Sequence, residues 1–275
     1  MASANPHRMQ CVVKNARVVT STQEYRANIG IRNGRFAALV DVNTPLEGET
    51  LIDAERRPVL PGIVDPHVHY SPKPTASFQD LVLSETRAGA AGGVTTQGIF
   101  MPYRDEPIAP WIAANAEIIN TSSMVDAVFH VLFTATPIDI ESLATWLAHG
   151  VSSWKLAIGY KGPQAAGRSP INDGDVWEVM AAAGKLPYPA MVMVHAENPD
   201  IMLKGRALVE RTGRQDMQAW NDTRPNFVEE ECMRMCLFLS KVTACRLYIV
   251  HITIGEGVDL IADAKREGIE VVAET

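Results

Sequence analysis

Two hydrophobic periods divide the chain. From Met9 to Arg57 short apolar runs are broken by turn residues: CVVKNARVVT, then ANIGIRNGRFAALVDV, then ETLIDAERRPVL. Short runs bounded by turn signals are the pattern of strands. Asn33-Gly34 stands between Ile29/Ile31 and Phe36 to Val40. Both residue types tolerate positive φ, so a tight hairpin is expected there. The pattern predicts a small β unit of about four or five strands over residues 1–60, with too little interior to be comfortable alone.

From Pro61 the period changes, and strand-like runs alternate with helix-like ones. The predicted strands are Ile63 to His69, Thr95 to Phe100, Ala127 to Phe133, Ser152 to Ile158, Met191 to His195, Leu247 to Ile252 and Ile269 to Ala273. Between them, Ile140, Leu143, Ala144 and Leu147 fall on one helical face, closed by Gly150. Val228, Cys232, Met235, Cys236, Leu239 and Val242 form a longer stripe, entered through Pro225. Val258, Ile261, Ala262 and Lys265 make another, stopped by Gly268. Alternating strands and helices give a parallel sheet, and strands apolar on both faces are those of a buried one. Residues 61–275 are therefore expected to form an α/β, (β/α)8-type (TIM-like) barrel, incomplete at seven strands.

Composition removes other classes. The 275 residues are 47% hydrophobic and 21% charged, an ordinary globular balance. A net charge of −7 argues against nucleic acid or an anionic membrane surface as partner. No run of about 18 apolar residues is present to span a bilayer. The start, MASANPHRMQ, lacks an apolar signal core, so a cytoplasmic protein is expected. Of the four cysteines, Cys232, Cys236 and Cys245 match no common zinc spacing. Reduced core cysteines are the expected reading for them.

Barrel chemistry sits at the C-terminal ends of the strands, and polar residues stand there that an apolar strand does not need. The first strand ends in His67 and His69, two apart and so on one side. The fourth carries Lys155 inside SSWKLAI; the fifth and sixth end in His195 and His251. Taken singly, each histidine has a bland reading as a core or rim residue, and a strand lysine usually snorkels to solvent. Together they are four strands delivering imidazole or amine to one face. An ammonium cannot ligate a cation, but burial lowers a lysine's pKa, and the neutral amine reacts with carbon dioxide. The carbamate is a carboxylate on a long arm that can bridge two ions, with His67 and His69 on one and His195 and His251 on the other. Two such ions hold a hydroxide between them and lower its pKa toward neutrality.

The pieces PGIVDPHVH, ETRAGAAGGVTT, GVSSWKLAIGYKG, VMVHAEN, LYIVHIT and VVAET occur in that order along the chain. In this order they resemble the cyclic amidohydrolases of the amidohydrolase superfamily, most closely the hydantoinase and dihydropyrimidinase branch. The resemblance implies a metal-dependent barrel with a β-sandwich companion and hydrolysis of a ring amide by a metal-bridging hydroxide. It implies His67, His69, His195 and His251 as ligands of two divalent ions, zinc being expected, with Lys155 as the carbamylated bridge. Tyr160, five residues after that lysine, matches the family tyrosine that hydrogen-bonds the substrate carbonyl.

Some segments depart from relatives. Dihydroorotases resemble the chain in the paired histidines but follow them with an arginine, where Tyr70 and Ser71 stand here. Ser71 to Asp80 differs from both the allantoinase and the hydantoinase pattern. The family continues past VVAET with a strand bearing an Asp that binds one ion and shuttles the proton to the leaving nitrogen. No Asp in the chain occupies that place; Asp65 is read instead as orienting a histidine. The 275-residue chain by itself is accordingly expected to hydrolyse rings very weakly or not at all; the alternatives are a catalytically weak or inactive relative that works as a subunit or interaction protein, and a dihydroorotase- or allantoinase-like ring hydrolase. Its open sheet edges, Ile63 and Val64 on one side and Ile269, Val271 and Val272 on the other, predict a homo-oligomer or a partner chain that completes the barrel.

Overall fold

The computed structural model describes residues 8–70, 76–134, 136–165 and 169–275. The divergent segment after His69 falls partly at positions 71–75, outside the described residues. Contacts divide the chain into two compact units, Met1–Ile63 and Val64–Thr275.

The first unit is a five-stranded mixed sheet, the sandwich element of the expected fold. It contains β1 (Met9–Val19), β2 (Glu24–Arg32), β3 (Arg35–Val40), β4 (Gly48–Asp53) and β5 (Pro58–Val59). The order is β3-β2-β1-β4, with β5 also on β1. β2 and β3 pair antiparallel through Asn33 and Gly34 at φ of 52° and 68°, the doubly positive turn that matches strand twist. β1 carries β4 and β5 parallel. Ala16, Ile29 and Ala54 form its small core.

The second unit is a seven-stranded sheet in strict chain order, an incomplete TIM-type barrel. Its strands are β6 (Ile63–Val68), β7 (Val94–Tyr103), β8 (Asp126–Phe133), β9 (Ser153–Ala157), β10 (Met191–His195), β11 (Leu247–Ile249) and β12 (Val271–Ala273). From β7 to β12 each strand pairs parallel with the next. The helices are α1 (Phe78–Ala91), α2 (Ile108–Ser122), α3 (Ser142–Ala148), α4 (Asp173–Ala183), α5 (Pro199–Glu210), α6 (Met217–Asp222), α7 (Phe227–Thr243) and α8 (Gly255–Arg266). One core joins the sheet to its helices: Trp154, Leu156, Val192 and Leu247 meet Trp146, Met180, Met233 and Cys236.

Strand alternation sends the other residues to the opposite face. In register, Pro102 lies beside Leu132, Leu132 beside Lys155, Lys155 beside Met193, and Met193 beside Tyr248. Lys155 thus stands in a row of mainly apolar neighbours. His195 pairs with Ala157, two residues further along β9.

Three details differ from the sequence reading. In α7 the buried residues are Val228, Cys232, Met233, Cys236, Leu237 and Ser240, whereas Val242 is exposed. Met233 and Leu237 also obey helical spacing, so the stripe is turned toward them. In α8 Ile261 is buried but Val258 is exposed. On β12 Val271 is buried rather than an open-edge residue. Cys232, Cys236 and Cys245 are free and buried, in keeping with core cysteines.

Candidate metal centre

All six residues singled out in the sequence line one cavity of about 410 Å³: His67, His69, Lys155, Tyr160, His195 and His251. Tyr70, Phe100, Pro102, Leu132 and Ala157 complete it. Phe100 is an aromatic part of its lining. The His69 ring stacks on Phe100 at 4.8 Å between centroids, and the Lys155 Nζ lies 5.1 Å from that ring.

The imidazoles come as two pairs. On β6 and just beyond it, His67 Nε2 and His69 Nε2 are 3.1 Å apart. At the ends of β10 and β11, His195 Nδ1 and His251 Nε2 are 3.0 Å apart. Two nitrogens about 2.0–2.1 Å from one tetrahedral zinc would stand about 3.4 Å from each other. Each pair is therefore close to the separation that a shared ion needs. The pairs adjoin, with the His67 and His251 rings 5.4 Å apart.

Lys155 fits the third donor. It is 3% exposed, and burial brings its amine down to about 7. Near neutral pH much of it is then the uncharged form that carbon dioxide attacks. No set of three or more His, Cys, Asp or Glu side chains converges on one point among the described residues.

Local sequence explains the placement of the second pair. In His195-Ala196-Glu197-Asn198 the strand turns directly into α5. The Asn198 side chain accepts from the Asp200 and Ile201 amides, with Pro199 in the first turn. Asn198 also bonds Glu231, fastening the turn to α7. Glu197, held in this turn, bonds His195 Nε2 at 2.7 Å and pairs with Arg224 at 3.3 Å. Burial pushes the Glu197 carboxyl up, but His195 and Arg224 outweigh it and hold it below the ordinary value. Arg224 in turn lies over the Trp220 ring, 4.1 Å from its centroid.

His251 lies beyond the end of β11, at φ 42°. The predicted strand to Ile252 is shorter because this residue takes the left-handed region, a strain of about 1–3 kcal/mol typical of functional positions. Glu229 holds the turn by accepting from the Thr253 amide at 2.9 Å and from its hydroxyl. Burial, then the neighbouring His195 and Lys155, lower His251 to about 4, leaving it the neutral imidazole that binds metals.

One expectation is corrected. Asp65 does not orient an imidazole; it accepts from the backbone amide of His67 at 3.1 Å. The carboxylate on the His67 ring is Glu274, which bonds Nδ1. Glu274 and Glu197 both lie in the motifs VVAET and VMVHAEN, where sequence alone assigns them no role. The signal available for Glu197 was an acid two residues after a ligand-type histidine. Glu274 had no local signal, because its partner is far away in the chain.

The barrel sheet thus brings two imidazole pairs and a buried strand lysine to one cavity. No family model matches the chain. Among curated proteins, it is 32% identical to a D-hydantoinase of Geobacillus stearothermophilus, over 97% of this chain and 56% of the relative. It is 31% identical to an allantoinase of Bacillus licheniformis, over 96% of this chain and 58% of the relative. A solved D-hydantoinase structure superposes with a TM-score of 0.82 at 30% identity, covering 97% of this chain and 57% of that one. The chain belongs to the cyclic amidohydrolases, and it spans a little over half the length of the curated relatives it matches. Hydantoinases and allantoinases match about equally, so the likeness does not separate ring types.

Proposed function

We propose that this chain carries the metal-binding cavity of a hydrolase acting on a cyclic amide, such as a hydantoin, dihydropyrimidine or allantoin ring. The observation that supports it most is the pairing of imidazole nitrogens on either side of buried Lys155. His67 and His69 would hold one divalent ion and His195 and His251 the other, with carbamylated Lys155 between. Zinc suits nitrogen and carboxylate donors. When bound, the ions would supply Lewis-acid activation of water and of the ring carbonyl.

The chain's own residues do the rest. Phe100, Pro102 and Leu132 offer an apolar wall to the ring and exclude bulk water. Tyr160, beside His195 at 5.2 Å between ring centroids, would donate its hydroxyl to the carbonyl oxygen as negative charge develops. Among the described residues, those lining the cavity include no carboxylate. A proton for the leaving nitrogen would come from outside these described lining residues.

Exposed Ile63 and Val64 on β6 favour a second copy or a partner chain against that edge. Buried reduced cysteines accord with a cytoplasmic location. No helix among the described residues is long and apolar enough to cross a membrane.

The test is reconstitution of the purified chain with zinc and bicarbonate, followed by elemental analysis, intact mass and assays on hydantoin, dihydrouracil and allantoin. Bound zinc and one added carbon dioxide on Lys155 are expected. A chain that retains no zinc after this treatment refutes the reading.

A further inference from the structure

Glu274 stands behind the cavity rather than in it. One oxygen meets His67 Nδ1, and the other accepts the Tyr248 hydroxyl at 2.5 Å. Its backbone is fixed as well: its amide donates to the Ile249 carbonyl at 3.3 Å, and its carbonyl accepts the Ile252 amide at 2.7 Å. His67 is on β6 and Glu274 directly follows β12, the two edge strands of the sheet. The side chains are largely buried, 14% and 18% exposed.

We propose that Glu274 is a positioning residue that ties the two sheet edges together and fixes the His67 tautomer. A carboxylate only accepts, so Nδ1 of His67 must carry the proton. The Nε2 lone pair then faces His69 and the cavity, the form an incoming cation requires. Glu197 does the same for His195 from within one turn, turning Nδ1 toward His251. Glu274 differs because it reaches across 207 residues. Without it the β6 half of the cavity keeps β7 as its neighbour in the sheet, and the His67 ring loses the hydrogen bond that reaches it from the far end of the sheet. The inference rests on reading the cavity as a metal centre.

The test titrates the full chain with zinc, and separately with cobalt(II), comparing wild type, Glu274→Ala, Glu274→Gln and Tyr248→Phe. Loss of a carboxylate behind a ligand histidine weakens metal affinity by about 10–100-fold, and that is expected for Glu274→Ala, with a changed cobalt visible spectrum. Glu274→Gln can still accept from Nδ1–H and should lose less. Tyr248→Phe leaves the tautomer alone and should bind as wild type, although it removes the other half of the link. Should the alanine variant fail to fold, weaker zinc binding by Glu274→Gln at an unchanged melting temperature carries the inference. Wild-type affinity and spectrum in both Glu274 variants overturn it, as does an equal loss in Tyr248→Phe, which marks a merely structural link. A wild type that binds neither metal overturns the metal reading itself, a separate failure.

Discussion

The two imidazole pairs have the same separation and opposite surroundings. His195 and His251 end interior strands, β10 and β11, which are paired on both sides and backed by α7. Each is pinned within a few residues: His195 by Glu197 in its own turn, His251 by the turn that Glu229 holds. His67 and His69 belong to an edge strand, His69 is exposed, and the carboxylate on His67 comes from the far end of the chain. The interior pair is thus built by local sequence and the edge pair by tertiary closure. The same ligand geometry can rest on supports of very different reach, and the two halves should fail differently.

Removing what the halves share should have the largest effect. Lys155→Ala is expected to abolish bridged metal at both pairs, with partial recovery when formate or acetate is supplied. Metal content by elemental analysis checks this, and a variant that binds as much as wild type would undo the shared-ligand picture. The lysine also sets a pH signature in the metal-free chain. Its amine is lowered from 10.5 to about 7 by burial. Between those values the unfolded chain binds the extra proton, so stability should rise with pH from about 7 toward 10 by a few kcal/mol. Lys155→Met should flatten that slope in melts recorded without metal.

Single ligand losses come next and should separate the halves. His251→Ala is expected to remove metal from the interior pair while leaving the edge pair able to bind weakly, and His69→Ala the reverse. The exposed His69 should change the melting temperature little, because surface substitutions usually stay within about 0.5 kcal/mol. Substituting His251 also changes a left-handed residue, so its melting temperature should fall further. Equal stability losses in the two variants would contradict the contrast between local and long-range support.

The asymmetry also marks what could be read in the sequence. All seven barrel strands were legible because each is a short apolar run between helical patterns. The imidazoles and Lys155 stood out because an apolar strand has no need of them. The helix faces were less legible. In α7, Met233 and Leu237 compete with Met235 and Leu239 for the same spacing, and only packing on the sheet decides between them. Asp65 is adjacent to His67 in sequence and was given the orienting role, yet its carboxylate reaches the backbone amide. Glu274 could not be read, since nothing local joins it to His67. Proximity in sequence is a fair guide for the interior pair and a poor one for the edge pair.

Two glycines offer the gentlest way to press on each half. A Cβ at Gly98 would lie 2.6 Å from the Pro66 carbonyl oxygen and 2.6 Å from His130 Nε2. The first contact is backbone of β6 and cannot swing aside. Gly98→Ala should therefore push the edge strand from β7, at about 1–3 kcal/mol as for other overpacked sites, and weaken the His67–His69 ion. A Cβ at Gly159 would lie 2.8 Å from His195 Nε2 and 3.3 Å from the Glu197 Cβ. Here the neighbours are side chains in a turn held by Asn198, so the turn should survive while the ring shifts. Gly159→Ala should leave the melting temperature nearly unchanged and reduce affinity only for the ion at His195 and His251. Isothermal titration with zinc, resolving two binding steps, distinguishes the variants. If Gly159→Ala weakened the edge step, or Gly98→Ala spared it, the two halves would not be the separately supported units their geometry describes.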